Sequence, residues 1–344
     1  MATIRIGISG WRYAPWRGPF YPPDLPQRAE LSYASRRFPT IEINGSFYSL
    51  QRPGSYAQWY AQTPDGFVFS LKGGRYITHM LRLREVEQAL ANFFASGVFN
   101  LREKLGPILW QFPPNFGYER ERMQRFFRLL PRDTTAACSL ARRRSAWMQG
   151  RVRLATDGER PLRHAVEVRH ESFRDASFVE LLREHGIALV IAETAGQWPM
   201  AQDVTADFMY IRLHGDKELY RSGYSPRALA RWAQRIRAWH EGSEPADAQT
   251  MAGGHPRSQG ARDVYCYFDN TDVKLRAPRD ARSLMRRLAI DWCGDDEGSG
   301  RRPSAPRRPP GAMAAPSGCR PEGAVESTGH SPPSHSKMQA GSSR

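Results

Sequence analysis

Eight short segments of the chain have the residue pattern of β-strands, and mostly helical segments separate them. Segment 41–44 shows the pattern clearly, because Ile41 and Ile43 alternate with Glu42 and Asn44. Alternation with a period of two gives a strand one apolar and one polar face. Eight strands that alternate with helices favour an α/β fold, the TIM-type (β/α)8 barrel. The predicted strands are 4–11, 41–44, 67–72, 108–111, 164–170, 187–193, 208–215 and 264–270.

Polar residues of the predicted strands share one side of each strand and gather towards its C-terminal end. In a barrel the opposite, apolar side packs under the helices and the polar side faces the axis, where a carboxylate is costly unless it has a partner. In a surface sheet the same residues would simply face water. A sandwich or an open sheet would not place charges at so many strand ends. The polar pairs are Glu42/Asn44, Ser70/Lys72, Glu167/Arg169, Arg212/His214 and Tyr267/Asp269.

The chain is predicted to form one barrel domain, residues 1–293, followed by a tail, 294–344. The tail contains no Phe, Trp or Tyr and is dominated by Pro, Ser, Gly and Ala. Such a composition cannot bury a core, so the tail is predicted to be disordered. Residues 242–262 are predicted to be a polar insertion. After residue 79 the sequence predicts a helix that continues to near Phe99.

The net charge of +15 raises nucleic acid as a partner of this 344-residue chain. The tail carries a surplus of only two positive charges, so +13 belongs to residues 1–293. The chain has 45 Arg against 5 Lys, a bias that reflects nucleotide composition. Charge alone does not place residues for base or phosphate recognition. We therefore expect weak, nonspecific nucleic-acid binding at most.

The sequence gives no sign of a membrane or secreted protein. No apolar run approaches the roughly 18 residues that a membrane span needs. The N-terminal residues lead directly into a strand and lack the regions of a secretion signal. Four scattered cysteines argue against a zinc site and a disulfide framework, and they fit a reducing cytoplasm.

Charged residues at the predicted strand ends mark the candidate site, because barrel enzymes work at the C-terminal ends of their strands. Two carboxylates can act as general acid and base if their surroundings separate their pKa values. Cationic side chains can hold an anionic group such as phosphate. The predicted catalytic residues are Glu42, Glu167, His214 and Asp269. The predicted substrate-binding residues are Trp11, Asn44, Tyr48, Lys72, Gln111, Arg169, Arg212 and Asn270. Glu193 ends another predicted strand.

Other interpretations of the same residues stay open. The charges could form a self-satisfied ion-pair lattice that only fixes the strands. Carboxylates and His214 could bind a divalent metal, but no tight ligand spacing such as HExxH supports a metal site. The pattern identifies no cofactor and no oligomeric state. Three functions remain: an acid–base enzyme for a small anionic or sugar-like substrate, a barrel that binds or cleaves nucleic acid, and a ligand-binding protein without chemistry. For the enzyme, we expect Glu42→Gln and Glu167→Gln to change stability little.

Several motifs together resemble the domain of unknown function 72 family, also called YecE-like. They are Gly7-Ile8-Ser9-Gly10-Trp11, Trp16-Arg17-Gly18, Phe20-Tyr21-Pro22, Glu42-Ile43-Asn44-Gly45-Ser46-Phe47-Tyr48, Lys72, Ile77-Thr78-His79, Trp110-Gln111-Phe112-Pro113-Pro114, Glu167-Val168-Arg169-His170 and Tyr267-Phe268-Asp269-Asn270. The resemblance covers roughly residues 3–292 and implies a TIM-type barrel in a cytoplasmic bacterial protein. It implies no reaction. Glu193 departs from the family, which more usually has Asp there, and the longer side chain is expected to reach further into the pocket.

Overall fold

Eight parallel strands form a closed barrel in chain order, which confirms the predicted TIM-type fold. The structure, a computed structural model, describes residues 2–252, 260–269 and 276–292. The predicted tail, Asn270 and part of the insertion lie outside these described residues. The strands are Ile4–Ser9 (β1), Thr40–Ile43 (β2), Val68–Lys72 (β3), Leu105–Gln111 (β4), His164–Glu167 (β5), Ala188–Glu193 (β6), Phe208–Leu213 (β7) and Asp263–Phe268 (β8).

Helices surround the barrel and begin or end where the sequence carries capping residues. Ser225 accepts a hydrogen bond from the backbone N–H of Ala228 at 3.1 Å and starts the longest of the described helices. Gly186 ends another helix with φ of 57°, a left-handed conformation that suits glycine. The α-helices are Glu30–Ser35 (α1), Gly45–Tyr48 (α2), Pro53–Gln62 (α3), Glu87–Ala95 (α4), Arg120–Leu129 (α5), Thr134–Ala141 (α6), Ala176–His185 (α7), Pro226–His240 (α8) and Arg276–Arg287 (α9).

Apolar residues form two separate sets, as the alternation of the strands predicts. The larger set lies between strands and helices and includes Ile41, Ile43 and Ile211. The smaller set includes Leu109 and Tyr210. Tyr210 donates a hydrogen bond to Glu42 on β2, which is not a neighbour of β7, so the smaller set fills the interior of the barrel. The interior is therefore a packed core that becomes polar towards the C-terminal ends of the strands.

The helix predicted to continue from residue 79 to near Phe99 is wrong over its first half. The chain forms a short π-helical turn, Tyr76–Met80, and then an irregular segment before α4. In that segment Arg82, Leu83 and Glu85 have φ of 51°, 63° and 48°, which an α-helix does not allow. Leu83 is buried, and Arg82 donates to the side chain and backbone of Asn115. These tertiary contacts outweigh the local helical pattern.

The described part of the predicted insertion packs onto the loop before β7. The backbone N–H groups of Met251 and Ala252 donate to Asp203 at 2.8 Å and 3.0 Å. The backbone N–H of Gln202 donates to the carbonyl of Gln249 at 2.8 Å. Separately, none of the described helices combines the length and apolar character that crossing a bilayer requires.

Candidate functional site

Polar side chains of several strands meet inside the barrel because the strand register brings them to a similar height. Ser9 on β1 pairs with Glu42 on β2, and Gln111 on β4 pairs with Glu167 on β5. Arg212 on β7 reaches the carboxylates of β2 and β5, two strands that are not its neighbours. Side chains from different parts of the sequence therefore contact one another across the barrel axis.

The carboxylate of Glu42 is completely buried, and both of its oxygens accept hydrogen bonds. Oε1 accepts from Ser9 Oγ at 2.7 Å and from Arg212 Nη2 at 2.9 Å. Oε2 accepts from the hydroxyl of Tyr210 at 2.7 Å and from Arg212 Nε at 3.1 Å. The two bonds from Arg212 form a bidentate pair, the strongest arrangement of these groups. Glu42 is thus fixed in position by four donated hydrogen bonds.

Arg212 binds two further carboxylates at the same time. Its Nη1 donates to Glu167 Oε2 at 2.7 Å, and its Nη2 donates to Asp269 Oδ2 at 3.0 Å. The guanidinium is 1% exposed. Burial alone would lower the pKa of Arg212, but Glu42, Asp269 and Glu167 raise it well above its usual value. Arg212 is therefore a permanent cation that joins three anionic residues.

Glu167 is also completely buried, and both of its carboxylate oxygens accept hydrogen bonds. Its Oε1 accepts from Gln111 Nε2 at 2.8 Å and from Arg169 Nε at 3.0 Å. Burial would raise the pKa of Glu167, but Arg212 and Arg169 hold it well below the usual range. Glu167 therefore stays ionised at neutral pH and has no proton to donate.

The predicted catalytic residues Glu42 and Glu167 are both enclosed by their partners. Neither carboxylate is exposed, and each of their four oxygens accepts at least one hydrogen bond. Arg212, Glu42 and Glu167 thus form a buried ion-pair network of the kind considered from the sequence, which we call the lattice. The catalytic roles of the two carboxylates stay predictions.

Asp269 and His214 lie beside this lattice. Asp269 Oδ2 is 2.9 Å from His214 Nδ1, an ion-pair distance without hydrogen-bond alignment. Arg212 Nη1 lies 3.3 Å from His214 Nε2, and because a guanidinium only donates, Nε2 is the acceptor of this contact. Burial would raise the pKa of Asp269, but Arg212 and His214 lower it. His214 is completely buried beside Asp269, and its catalytic role stays a prediction.

A pocket of about 620 Å³ opens above the lattice, and we call it the mouth pocket. Six of the predicted site residues line it: Asn44, Tyr48, Lys72, Gln111, Arg169 and Arg212, together with Asp269 from the predicted catalytic set. Asn44 Nδ2 donates to Ser9 Oγ at 2.8 Å, while its buried Oδ1 has no hydrogen-bond partner among the described residues. Tyr48 is 68% exposed at the edge of the pocket. The predicted strand ends therefore do form one pocket.

Lys72 differs from the other charged residues of the mouth pocket. Its side chain is only 8% exposed, yet its ammonium makes no hydrogen bond or ion pair with any described residue. Nζ lies 4.5 Å from the centre of the Phe47 ring. Burial, and secondarily Arg212, lower the pKa of Lys72 to about 8. The amine is therefore available to a ligand and titrates close to neutral pH.

Five residues of the mouth pocket were not predicted as site residues: Tyr13, Phe47, Arg75, His79 and Tyr220. Burial, followed by Lys72 and Arg169, lowers the pKa of His79 to about 4, so its imidazole is neutral at pH 7. The ring of His79 packs against Phe47 with centroids 5.1 Å apart. These residues lie outside the strands, and strand alternation carries no signal for them. The Ile77-Thr78-His79 motif could have indicated His79.

Two residues assigned to the site from the sequence lie elsewhere. Trp11 is buried against Trp59 and Phe69 and does not line the mouth pocket. Glu193 has the outward parity of β6, and its Oε2 accepts from Trp232 Nε1 on α8 at 2.8 Å. The longer side chain of Glu193 thus reaches the helix layer rather than the pocket. Asn270 lies outside the described residues.

The described residues contain no group of three or more His, Cys, Asp or Glu side chains arranged to hold a metal ion. In the mouth pocket, Asp269 is the single carboxylate among the lining residues, and Arg212 donates to one of its oxygens, Oδ2. The donor set around the pocket therefore favours anions.

Comparison with known protein families finds one that matches most of the chain. The family model described as "Protein of unknown function DUF72" matches residues 5–304. The chain is 25% identical over 247 residues to the UPF0759 protein YecE of Escherichia coli K12, covering 70% of this chain and 84% of that protein. It is 29% identical over 123 residues to the UPF0759 protein YunF of Bacillus subtilis, where the match spans only 43% of that protein's length.

Solved structures of two proteins share the fold. A DUF72 family protein from Thermotoga maritima superposes with a TM-score of 0.62 at 22% identity, covering 83% of this chain and 99% of that chain. A DUF72 family protein from Enterococcus faecalis gives a TM-score of 0.60 at 18% identity, covering 87% and 100%. At this level of identity the likeness supports the barrel fold alone.

Proposed function

The chain belongs to the DUF72 family of proteins of unknown function, and we propose that this member is an acid–base enzyme that acts on a small anionic substrate in the mouth pocket. The proposal depends on which charged residues are paired with one another in the lattice and which face the pocket. Glu42 and Glu167 are occupied by Arg212 beneath the pocket, whereas Lys72 faces the pocket with no hydrogen-bonding partner among the described residues. This unpartnered ammonium is the observation that carries the proposal.

The cations of the mouth pocket outnumber its carboxylates. Lys72, Arg75 and Arg169 line the pocket beside Arg212, and Asp269 is the one lining acid. Arg169 stacks on the ring of Trp198 with its guanidinium carbon 3.8 Å from the ring centre, which fixes its plane. A phosphate or carboxylate group in the pocket would therefore meet preorganised donors.

Two side chains of the pocket suit proton transfer. Lys72 has a pKa of about 8, close to the value that lets one group both donate and accept a proton near neutral pH. His79 is neutral at pH 7, because its pKa is lowered to about 4, and it can accept a proton. Asp269 is held ionised by Arg212 and stabilises positive charge that develops on a substrate. We assign proton transfer to Lys72 and His79.

Anion binding tests the proposal directly. Isothermal titration calorimetry with phosphate and with small carboxylates should show binding that Arg75→Ala and Lys72→Met each weaken at least tenfold. Arg125→Ala is the matched control, because Arg125 lies on the exposed side of α5, away from the pocket. Binding that is equally strong in all four proteins would place the anion elsewhere and contradict the proposal. Binding without turnover of any substrate would favour a ligand-binding protein without chemistry.

A second candidate function, nucleic-acid binding, has one specific observation in its favour. Five arginines of α1 and α9 and their flanking residues line a groove of about 560 Å³ that we call the arginine groove: Arg36, Arg37, Arg279, Arg282 and Arg286. Arg36 and Arg37 follow α1 and precede β2, so the groove lies at the N-terminal end of the barrel, opposite the mouth pocket. A polyanion bound there would not reach Lys72.

Salt dependence separates the two candidates. Binding of an oligonucleotide to the arginine groove should fall steeply as salt rises. Arg279→Glu with Arg286→Glu should remove it, while Lys72→Met should not. Absence of binding at low salt would remove this second candidate.

A further inference from the structure

We propose that Lys72 forms a Schiff base with the carbonyl group of a small anionic aldehyde or ketone. The inference deepens the proposed function, since it uses the same mouth pocket and depends on anion binding there. It names a substrate class, anionic carbonyl compounds, and gives Lys72 a covalent role in place of proton transfer, which it leaves to His79.

Comparison of the two buried lysines supports a special role for Lys72. Lys104 is 3% exposed, and its ammonium donates to the carbonyls of Tyr60 and Thr63 at 2.9 Å and 2.7 Å and to Thr63 Oγ1 at 3.2 Å. Such a lysine has a structural role, because its three N–H groups have acceptors. Lys72 is 8% exposed and has no acceptor among the described residues. Lys72 lines the mouth pocket, where a bound ligand can supply the acceptors that its ammonium lacks.

The surroundings of Lys72 suit a nucleophilic amine. Nζ lies 4.5 Å from the centre of the Phe47 ring. Burial and the Arg212 cation lower the pKa of Lys72 to about 8, and they outweigh the opposite effect of the carboxylates of Glu42, Glu167 and Asp269. Desolvation and a neighbouring cation are the two means by which proteins generate a reactive lysine. Because the pKa is about 8, an appreciable share of Lys72 is the free amine at neutral pH.

The strand also fixes where Lys72 can react. Lys72 is the last residue of β3, and its carbonyl accepts from Ser46 Oγ at 2.7 Å, so its backbone is held at the pocket floor. Arg75 and Arg169 line the same pocket and would bind the anionic end of the substrate. The carbonyl carbon next to that end would then lie over Nζ.

The reaction balances without any further reactant. The lone pair of the Lys72 amine forms a bond to the carbonyl carbon while the C=O π pair moves to oxygen. Proton transfer from nitrogen to that oxygen gives a carbinolamine. Its hydroxyl leaves with one more proton as water, and the nitrogen lone pair forms the C=N bond. The sum is carbonyl plus Lys72 ammonium giving iminium plus water, and Asp269 stabilises the iminium charge.

Borohydride trapping tests the imine. The purified full chain is treated with dihydroxyacetone phosphate or with pyruvate and then reduced. Each trapped lysine gains the mass of the probe less one oxygen atom. The chain contains only five lysines, so peptide mapping identifies the modified one. We expect labelling of Lys72 with at least one probe, more than tenfold faster than labelling of the exposed Lys217.

The controls distinguish the inference from the proposed function. Glycerol phosphate and lactate, which carry the same anionic groups without a carbonyl, should bind and give no adduct. Lys72→Arg should lose the adduct, and its unchanged circular dichroism spectrum would show that it folds. Anion binding with no faster labelling of Lys72 by either probe would overturn the imine and leave the proposed function intact. Absence of anion binding in the wild-type protein would overturn both the imine and the proposed function.

Discussion

Arg212 binds Glu42 through two parallel hydrogen bonds, Nε to Oε2 at 3.1 Å and Nη2 to Oε1 at 2.9 Å, with both side chains at most 1% exposed. The pair joins β7 to β2 across the barrel axis. Buried ion pairs are poor stabilisers compared with apolar packing, but removal of one partner leaves an unpaired buried charge. Substitution of either partner is therefore expected to change the free energy of unfolding by a measurable amount.

Arg212→Met should destabilise the protein by about 3 to 5 kcal/mol, because the carboxylates of Glu42 and Glu167 lose their buried cation. Urea denaturation with a constant slope would measure the loss. Arg125→Met is the control, since its ion pair with Glu121 is exposed and long at 3.9 Å. An equally small effect of both substitutions would show that the lattice does not stabilise the fold.

Glu42→Gln and Glu167→Gln should each cost about 3 kcal/mol, opposite to the small change expected from the sequence. At residue 42 the new amide group would point N–H donors at the Tyr210 hydroxyl and Arg212 Nε, both of which already donate to that oxygen. Thermal melting of both variants measures the effect. Unchanged melting temperatures together with lost activity would support the catalytic interpretation of the two carboxylates.

Lys72→Met should stabilise the protein by about 1 to 3 kcal/mol at pH 7, since burial of the Lys72 ammonium is unfavourable. The folded-state pKa of about 8 lies below the ordinary 10.5, so the unfolded chain binds more protons between these values. Wild-type stability should therefore gain a contribution of about 3 kcal/mol as pH rises from 8 to 10.5. Urea denaturation midpoints of the wild-type protein and Lys72→Met should show the difference in stability between them shrink as pH rises from 8 to 10.5. A destabilised Lys72→Met variant would mean that Lys72 is a structural residue.

His164 should make the fold sensitive to mild acid. Its Nδ1 accepts from Trp110 Nε1 at 3.2 Å, its Nε2 contacts the carbonyl oxygen of Pro131 at 2.8 Å, and burial lowers its pKa to about 4. The unfolded chain takes up this proton near pH 6.5, so stability should fall by up to about 3 kcal/mol between pH 6.5 and 4. Urea midpoints of wild type and His164→Gln would test this. The same acid dependence in both would assign it to other groups.

Glu193→Asp should lose the hydrogen bond from Trp232 Nε1, because the shorter side chain does not reach α8. We expect a loss of about 1 to 2 kcal/mol in unfolding free energy and no change in anion binding. Denaturation and calorimetry on the same variant check the two statements. Weakened anion binding with unchanged stability would indicate that the Glu193 side chain acts in the mouth pocket.

The sequence predicted the barrel and the polar strand ends that line the mouth pocket. Alternation at Ile41, Glu42, Ile43 and Asn44 assigns each side chain to one face of its strand, because a strand has a period of two residues. With the strand ends of a barrel forming one edge, Lys72 and Arg169 could be placed in a common pocket from the sequence.

The division of roles among the charges depended on tertiary structure. Nothing in the alternation distinguishes Glu42, which binds Arg212 below the pocket, from Asp269, which lines it. That difference depends on the height and direction of each side chain in the closed barrel. His79 lies in the π-helical turn after β3 and Arg75 directly precedes it, so strand alternation does not describe them and only long-range contacts decide where they lie. Sequence periodicity fixes which face a residue occupies, whereas hydrogen-bond partners from distant strands decide whether its charge is occupied or available.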